Sequence, residues 1–330
     1  FTLYYALQEA GRRIAESPGR ALEFARAVLG LAEPSVRRAA ADQMMPWGLI
    51  QGQAHLLAAQ AFLWPRQFAR SYAHSRSAYR LFARWGDETS LAIVEMTESQ
   101  RRSFVGKGPS ALALARRAEA TFAAHGLDDF AARATVAMGL ASYALSQHEE
   151  AIRYYRLALP VFERYALWSN YVGALNSIGT SFQKMGRLDQ AKREFARALS
   201  RFSAEEHRSW MGYLRHGLAT ILFSAGRFRE AAVSSARAGE LLEAAGLHGN
   251  AVTCALLEIE SWARHGDLDR ARKRLDAFLS GIRGARRLEP VVVREIKSAL
   301  SGADPDFARL AALREEIEEF FQRLPSQASR

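Results

Sequence analysis

The chain has 330 residues, 49% of them hydrophobic and 24% charged, with a formal net charge of +10. That balance excludes global disorder, and a single cysteine, Cys254, excludes an internal disulfide framework and any cysteine-based metal cluster. The charge comes from 40 arginines against 5 lysines; with abundant Ala and Gly this has the look of high-GC bacterial coding, so the basic pI says little about the partner.

Phe1 to Leu7 already reads as the interior of a helix, so the chain is taken as a segment of a longer protein. Phe1 to Ala15 and Gly19 to Leu31 form an irregular opening pair, the second helix carrying the apolar stripe Ala21, Leu22, Ala25 and Val28. Pro34 to Met45 is a variable link. Met45 to Pro65 carries no formal charge over a length that could span a bilayer. It also holds Gln51, Gln53, His55 and Gln60, whose burial without partners would cost roughly 1–3 kcal/mol each. A helix buried against other helices is therefore expected, and no membrane contact.

From there the chain repeats. Ala111, Ala151, Ala191, Ala231 and Ala271 stand 40 residues apart. Gly106, Gly186, Gly226 and Gly266 share that period with Ser146 in the gap, and so do Phe82, Phe122, Phe162, Phe202 and Leu242. Gly86, Gly126, Ala166 and Gly246 form a fourth series, interrupted at Glu206. Each Gly of the second series follows a helical segment, as a left-handed C-cap would. Each Ala then sits where two helix backbones approach closely, and each Phe closes a joint between pairs. The unit is helix, tight turn, helix, loop, and such units must stack to bury their apolar faces.

Leu175, Ile178, Gly179 and Phe182, followed by Ala191, Phe195 and Ala198, resemble the tetratricopeptide repeat, which runs aromatic-x2-Leu-Gly-x2-Tyr and then Ala-x3-Phe. Gly139, Ala151, Tyr155 and Ala158 carry the same pattern one unit earlier. Looser copies are Leu218, Ala219, Leu222, Gly226 and Ala231, then Ile259, Trp262, Gly266, Ala271 and Leu275. The spacing of 40 departs from the usual period of about 34, as in long-repeat bacterial variants. The resemblance implies an all-α fold, a right-handed solenoid of stacked antiparallel helix pairs. The expected organisation is an irregular N-terminal pair and link over 1–46, about six repeat pairs over 47–282, and a linker with capping helices over 283–330. In that last part Gly281 to Pro290 is a basic turn and Val291 to Leu300 a short helix. Asp304 and Pro305 open a final helix to about Leu324, with the stripe Phe307, Leu310, Leu313, Ile317, Phe320, Phe321 and Leu324. It either caps the last apolar face or docks a downstream domain.

The resemblance also implies that the first helix of each pair lines a concave side that takes a peptide or protein partner. In the best unit that stripe is Asn176, Thr180 and Gln183. The 40-residue step places Leu56, Gln60 and Leu63; Met96, Gln100 and Ser103; Val136, Leu140 and Tyr143; His216, Thr220 and Phe223; and Leu256, Glu260 and Ala263 beside it. Amides match a peptide's C=O and N–H in one contact, and Met96, Tyr143 and Phe223 offer apolar pockets. The candidate contact residues are Gln100, Tyr143, Asn176, Thr180, Gln183, His216 and Phe223, each weighed against an ordinary solvated or core role.

Basic pairs occur at Arg12-Arg13, Arg37-Arg38, Arg101-Arg102 and Arg116-Arg117. Arg270, Arg272, Lys273 and Arg274, with Arg283, Arg286, Arg287, Arg294 and Lys297, form a denser cluster. It lacks a helix-turn-helix signature, zinc-finger spacing and interleaved aromatics, so a solvated outer face is preferred to nucleic acid. The eight histidines show no metal-ligand spacing, His125, His148, His248 and His265 lying at helix ends where they meet the last carbonyls. No nucleophile elbow, phosphate loop or dinucleotide fingerprint appears. The expected function is a non-catalytic regulatory or adaptor scaffold of a bacterial cytoplasm, without cofactor or metal, that binds a peptide or protein. The alternatives are the sensor arm of a nucleic-acid-binding regulator, a homo-oligomeric scaffold, and the regulatory segment of an enzyme whose catalytic domain lies outside this chain.

Overall fold

In a computed structural model, residues 2–12, 14, 18–31, 47–63, 66–205, 207–281, 290–301 and 305–323 are described, and among them the secondary structure is helical with no strand. The helices are α1 (Thr2–Arg12), α2 (Pro18–Leu29), α3 (Trp47–Ala61), α4 (Phe68–Trp85), α5 (Glu88–Phe104), α6 (Gly108–Ala124), α7 (Asp128–Ala144), α8 (His148–Arg164), α9 (Trp168–Lys184), α10 (Leu188–Arg201), α11 (Arg208–Ser224), α12 (Phe228–Ala244), α13 (His248–Arg264), α14 (Leu268–Gly281), α15 (Pro290–Ala299) and α16 (Phe307–Arg323). They form two compact units that part between Met185 and Gly186.

A strict backbone rhythm sets these boundaries. Gly86, Gly106, Gly126, Gly186, Gly226, Gly246 and Gly266 all have φ between 65° and 92°, and Ser146 and Ala166 take the same left-handed turn at 59° and 53°. The two glycine series of the sequence are therefore one series with a step of 20, its position at 206 lying outside the described residues. In eight of these nine turns the residue after the left-handed one closes the helix before it and opens the helix after it. Leu127 donates to Phe122 O at 2.9 Å while its own carbonyl accepts Ala131 N at 2.9 Å, and Leu167 and Leu247 repeat both bonds. That 6→1 bond satisfies carbonyls that a helix end leaves open. Where the residue is acidic it also caps: an oxygen of Asp87 accepts Ser90 N and one of Asp267 accepts Arg270 N. Seventeen residues of helix and three of turn, as in α5 to α9, make each helix about 25 Å long. A turn this short forces successive helices to run antiparallel.

The alanine series keeps one place in the second helices. Ala111, Ala151, Ala191, Ala231 and Ala271 are each the fourth residue of a second helix, and all are fully buried. Ser71 holds that place in α4 and satisfies its hydroxyl on Ala59 O at 2.8 Å. Large side chains fill the gaps between the small ones. Phe82 presses on Gly52, Tyr155 on Gly139 and Leu242 on Gly212, where a Cβ would come within 2.6 Å of the facing ring or branch. Phe122 stacks at 5.3 Å on Phe130 of the next pair.

Phe202 departs from its series. Helix α10 stops at Arg201, Phe202 is extended (φ −123°, ψ 149°), and its ring meets His207 edge-on at 5.3 Å instead of entering the core like Phe82, Phe122 and Phe162. In α16 the cap also differs from expectation. Asp306 accepts Arg309 N at 2.8 Å and the helix starts at Phe307, so Pro305 precedes the helix instead of standing in its first turn; Asp304 lies outside the described residues.

The uncharged stretch tested as a membrane span is α3, flanked by α2 and α4. Its buried Gln53 donates to Tyr4 Oη and Ser90 Oγ at 3.2 and 3.1 Å, His55 meets His74 at 2.9 Å, and Gln60 donates to Thr97 Oγ1 at 3.4 Å. Among the described residues no helix is long and apolar enough to cross a membrane. The Pro34–Met45 link and the Gly281–Pro290 turn fall almost wholly outside the described residues.

The turn argument predicts opposite responses at two equivalent positions. Gly226→Ala, whose new Cβ meets nothing within 4 Å, loses stability through backbone strain alone, by about 1–2 kcal/mol. Ala166→Gly relieves that strain and does not lose stability. Urea midpoints report both; equal losses in the two variants contradict the shared left-handed turn.

Candidate functional site

In the first unit the first helices α3, α5, α7 and α9 touch one another in sequence, while α4, α6 and α8 pack between and behind them. The first helices therefore make one continuous layer, and residues 40 apart fall on a common line along it. Of the expected stripe, Leu56, Met96 and Ser103 are buried, whereas Gln60, Gln100, Val136, Leu140, Tyr143, Asn176, Thr180 and Gln183 are half-buried. Half-burial is what a binding surface needs: side chains fixed by neighbours yet reachable. Tyr143 packs edge-on to His148 at 5.1 Å, and burial pushes its hydroxyl pKa up, so it stays neutral and able to donate. Thr180 Oγ1 donates to Asn176 O at 2.8 Å, which ties its hydroxyl to its own helix and points to a positioning part.

One charged group on this layer was not singled out from the sequence. Arg133 lies one turn before Val136, on the line that also carries Gln53 and Ile93. Its guanidinium sits 5.0 Å from the centre of the Phe130 ring and 3.5 Å from Asp129. Extending the stripe by one more turn toward the helix N-termini would have found it.

In the second unit the equivalent layer is covered. Helix α16 packs on α13, and Leu310, Leu313 and Ile317 join Leu256, Ile259, Trp262 and Ala263 in one apolar cluster. Glu260, 2% exposed, accepts from Arg264 Nε at 2.9 Å and from Arg314 Nε of α16 at 3.1 Å. Both guanidinium groups also lie over Phe223, at 5.3 and 5.9 Å, and Arg264 covers Phe307 at 4.9 Å. The final helix caps the last face, and in doing so it occupies the line that holds Phe223 and Glu260. His216 turns inward, with Nδ1 3.4 Å from Cys254 Sγ. Burial, helped by the Arg314 charge, pushes its pKa down to about 4.

One other expectation changes. His148 and His248 are the first residues of α8 and α13, not the last, so they cannot meet terminal carbonyls; His125, by contrast, closes α6 with Nδ1 2.8 Å from Thr121 O. In the basic cluster Arg270, Lys273, Arg294 and Lys297 are exposed, as on a solvated face, while Arg272 and Arg274 are half-buried. Arg274 binds the buried Glu258 at 2.6 Å, Arg270 stacks at 4.4 Å on Trp262, and Arg272 Nε donates to Leu300 O at 3.0 Å. Arg283, Arg286 and Arg287, like Arg13, Arg37 and Arg38, lie outside the described residues.

No protein-family model matches the sequence, and a search of curated proteins gives no match. Solved structures share the fold. A Rap protein complexed with competence and sporulation factor aligns over 98% of this chain and 96% of its own, at 15% identity and a TM-score of 0.61. The Rap conjugation gene regulator of plasmid pLS20, in complex with the Phr* peptide, aligns over 92% and 84% at 14% identity and a TM-score of 0.59. Aspartyl phosphate phosphatase F from Bacillus subtilis aligns over 94% and 84% at 16% identity and a TM-score of 0.57. These likenesses establish the helical-repeat, tetratricopeptide-like fold of the chain.

Two consequences are measurable. Arg314→Ala removes one of two partners from a buried carboxylate, an effect of about 1–3 kcal/mol, and hydrogen exchange in α16 should quicken while exchange in α12 stays slow. Because the folded His216 holds its proton less tightly than the ordinary value of 6.5, its stabilising contribution is complete above that pH and is lost as pH falls toward 4. The urea midpoint should drop between pH 7 and pH 5 by less in His216→Asn than in the parent; an identical drop removes His216 from the account.

Proposed function

We propose that the inner layer of the first unit binds a peptide, or an extended segment of a protein, and that the chain is a non-catalytic regulatory scaffold of a bacterial cytoplasm. The observation that carries this reading is the half-buried line Gln100, Tyr143, Asn176, Thr180 and Gln183 across three adjacent first helices. It alternates amide groups with an aromatic ring, so it offers paired donors and acceptors to a peptide backbone and an apolar surface to its side chains. The fold shared with two Rap proteins solved with a bound factor or peptide supports the same reading. Asn176 and Gln183 serve as backbone anchors, Tyr143 as the wall of a side-chain pocket, and Thr180 sets the Asn176 turn. His216 and Phe223, the two candidates of the second unit, take no direct part, because Cys254 on one side and Arg264 with Arg314 on the other already hold them.

Action by occupancy requires no chemistry on the guest. The test is retention of a synthetic pool of random free hexapeptides on the immobilised chain, read by mass spectrometry. The parent should enrich a subset of sequences, and Asn176→Ala with Gln183→Ala should weaken their retention about tenfold, as the loss of two hydrogen bonds implies. Unchanged retention in the double variant removes these residues from the site.

A further inference from the structure

At the N-terminal end of the same inner layer lies a partly enclosed cavity of about 100 Å³, lined by Leu7, Gln8 and Gly11 of α1, Gln53, Leu56, Leu57 and Gln60 of α3, Ile93 and Met96 of α5, and Phe130 and Arg133 of α7. Its size falls well below the roughly 300–1,000 Å³ of a pocket for a whole small ligand, and suits one side chain or one chain end. Among the described residues that line it, Arg133 is the one charged side chain, against three amides and an otherwise apolar wall.

We propose that this cavity recognises a carboxylate of the bound peptide, presented by its C-terminus or by an Asp or Glu side chain. The inference rests on the peptide-binding reading above and adds the chemistry of one subsite to it. Three features carry it. Arg133 is held in place: its side chain is 13% exposed, the Phe130 ring supports one face, and Asp129, one turn before it on α7, steadies one end of the guanidinium at 3.5 Å. That separation is longer than the 2.7–2.9 Å of a charge-assisted bond, so Asp129 orients the group without matching the grip of a close carboxylate. A guanidinium carries five N–H donors in a planar fork that fits a carboxylate with two parallel bonds. Of the three amides, one is left to add a neutral donor. Gln53 already spends its N–H groups on Tyr4 and Ser90, and Gln60 directs its own to Thr97, which leaves Gln8 at the α1 wall as the amide that completes the pocket. The apolar remainder, Leu7, Leu56, Ile93 and Met96, lowers the local dielectric and strengthens the attraction between guanidinium and carboxylate.

The experiment uses the full chain and three synthetic hexapeptide pools in the retention assay: free acids without Asp or Glu, C-terminal amides without Asp or Glu, and C-terminal amides containing Asp or Glu. The parent should retain at least one carboxylate-bearing pool about tenfold better than the uncharged amides, and the pool that wins identifies whether the chain end or the side chain is the source. Arg133→Gln should abolish that preference and Arg133→Lys should keep part of it. If Arg133→Gln fails to fold, the comparison of pools on the parent alone still decides. Equal retention of all three pools, with Asn176 and Gln183 still required, overturns the carboxylate subsite and leaves the peptide groove standing. The absence of any retained peptide overturns both.

Discussion

A left-handed residue every twenty positions is the constraint on which everything else in this chain depends. It fixes helix length at seventeen residues in α5 to α9 and again in α11 to α13, and the residue beside it belongs to two helices at once. Neither helix can grow or shrink without breaking the bonds of its neighbour. A constant helix length brings residues 40 apart to equivalent places, which puts a buried alanine at the fourth position of the second helices and gives the first helices of the first unit a common line of residues. The exception shows how the constraint works. Helix α10 is 14 residues long, but the connection after it is longer, and α11 begins at Arg208, twenty residues after α10 begins at Leu188. The loop absorbs the shortfall, and the alanine at 231 is as buried as the one at 191.

The repeat was legible in the sequence because its two markers answer to strict local demands. A positive φ selects glycine, and a close helix crossing selects a residue no larger than alanine. Ser146 and Ala166 adopt the same turn without the residue that announces it, and only the surrounding register reveals them. Helix boundaries were harder to place: His148 and His248 moved from the ends of helices to the beginnings, because a histidine carries no strong preference that would tell the two apart. The stripe of α16 already allowed a cap on the last apolar face, but not that the cap would cover the line of Phe223 and Glu260. The packing of α16 on α13 depends on Glu260 meeting an arginine 54 residues later in the chain, and no local pattern encodes such a pairing. Arg133 lies one turn outside the stripe that the best repeat unit marks, so the register alone does not point to it.

The two units treat a similar surface in different ways. In the second, a carboxylate nearly out of contact with water holds two arginines, and apolar residues of α16 complete the wall. Removing either arginine leaves a buried charge less well compensated, which is costly, so this surface is committed to its own chain. In the first, the line from Gln100 to Gln183 carries neutral amides and hydroxyls, whose loss of water a guest backbone would offset with hydrogen bonds. Neutral, half-buried polar groups are easily exchanged between water and a guest; a buried ion pair is not.

That difference bears on how the proposed peptide-binding scaffold would produce a signal. In a stack of helix pairs each pair contacts only its neighbours, and stability is close to a sum of those contacts. A guest lying across α5, α7 and α9 adds a link between pairs that are otherwise joined only through their shared faces. By linkage it stabilises the assembled stack according to its concentration and affinity, and it suppresses the local openings that would let one pair tilt from the next. A carboxylate anchored at Arg133 would fix one end of that guest against α1, so that its length and direction, as well as its affinity, decide how many pairs it ties together. On the proposed reading, occupancy of the inner layer becomes a mechanical state of the stack, and the number of pairs tied together becomes the signal.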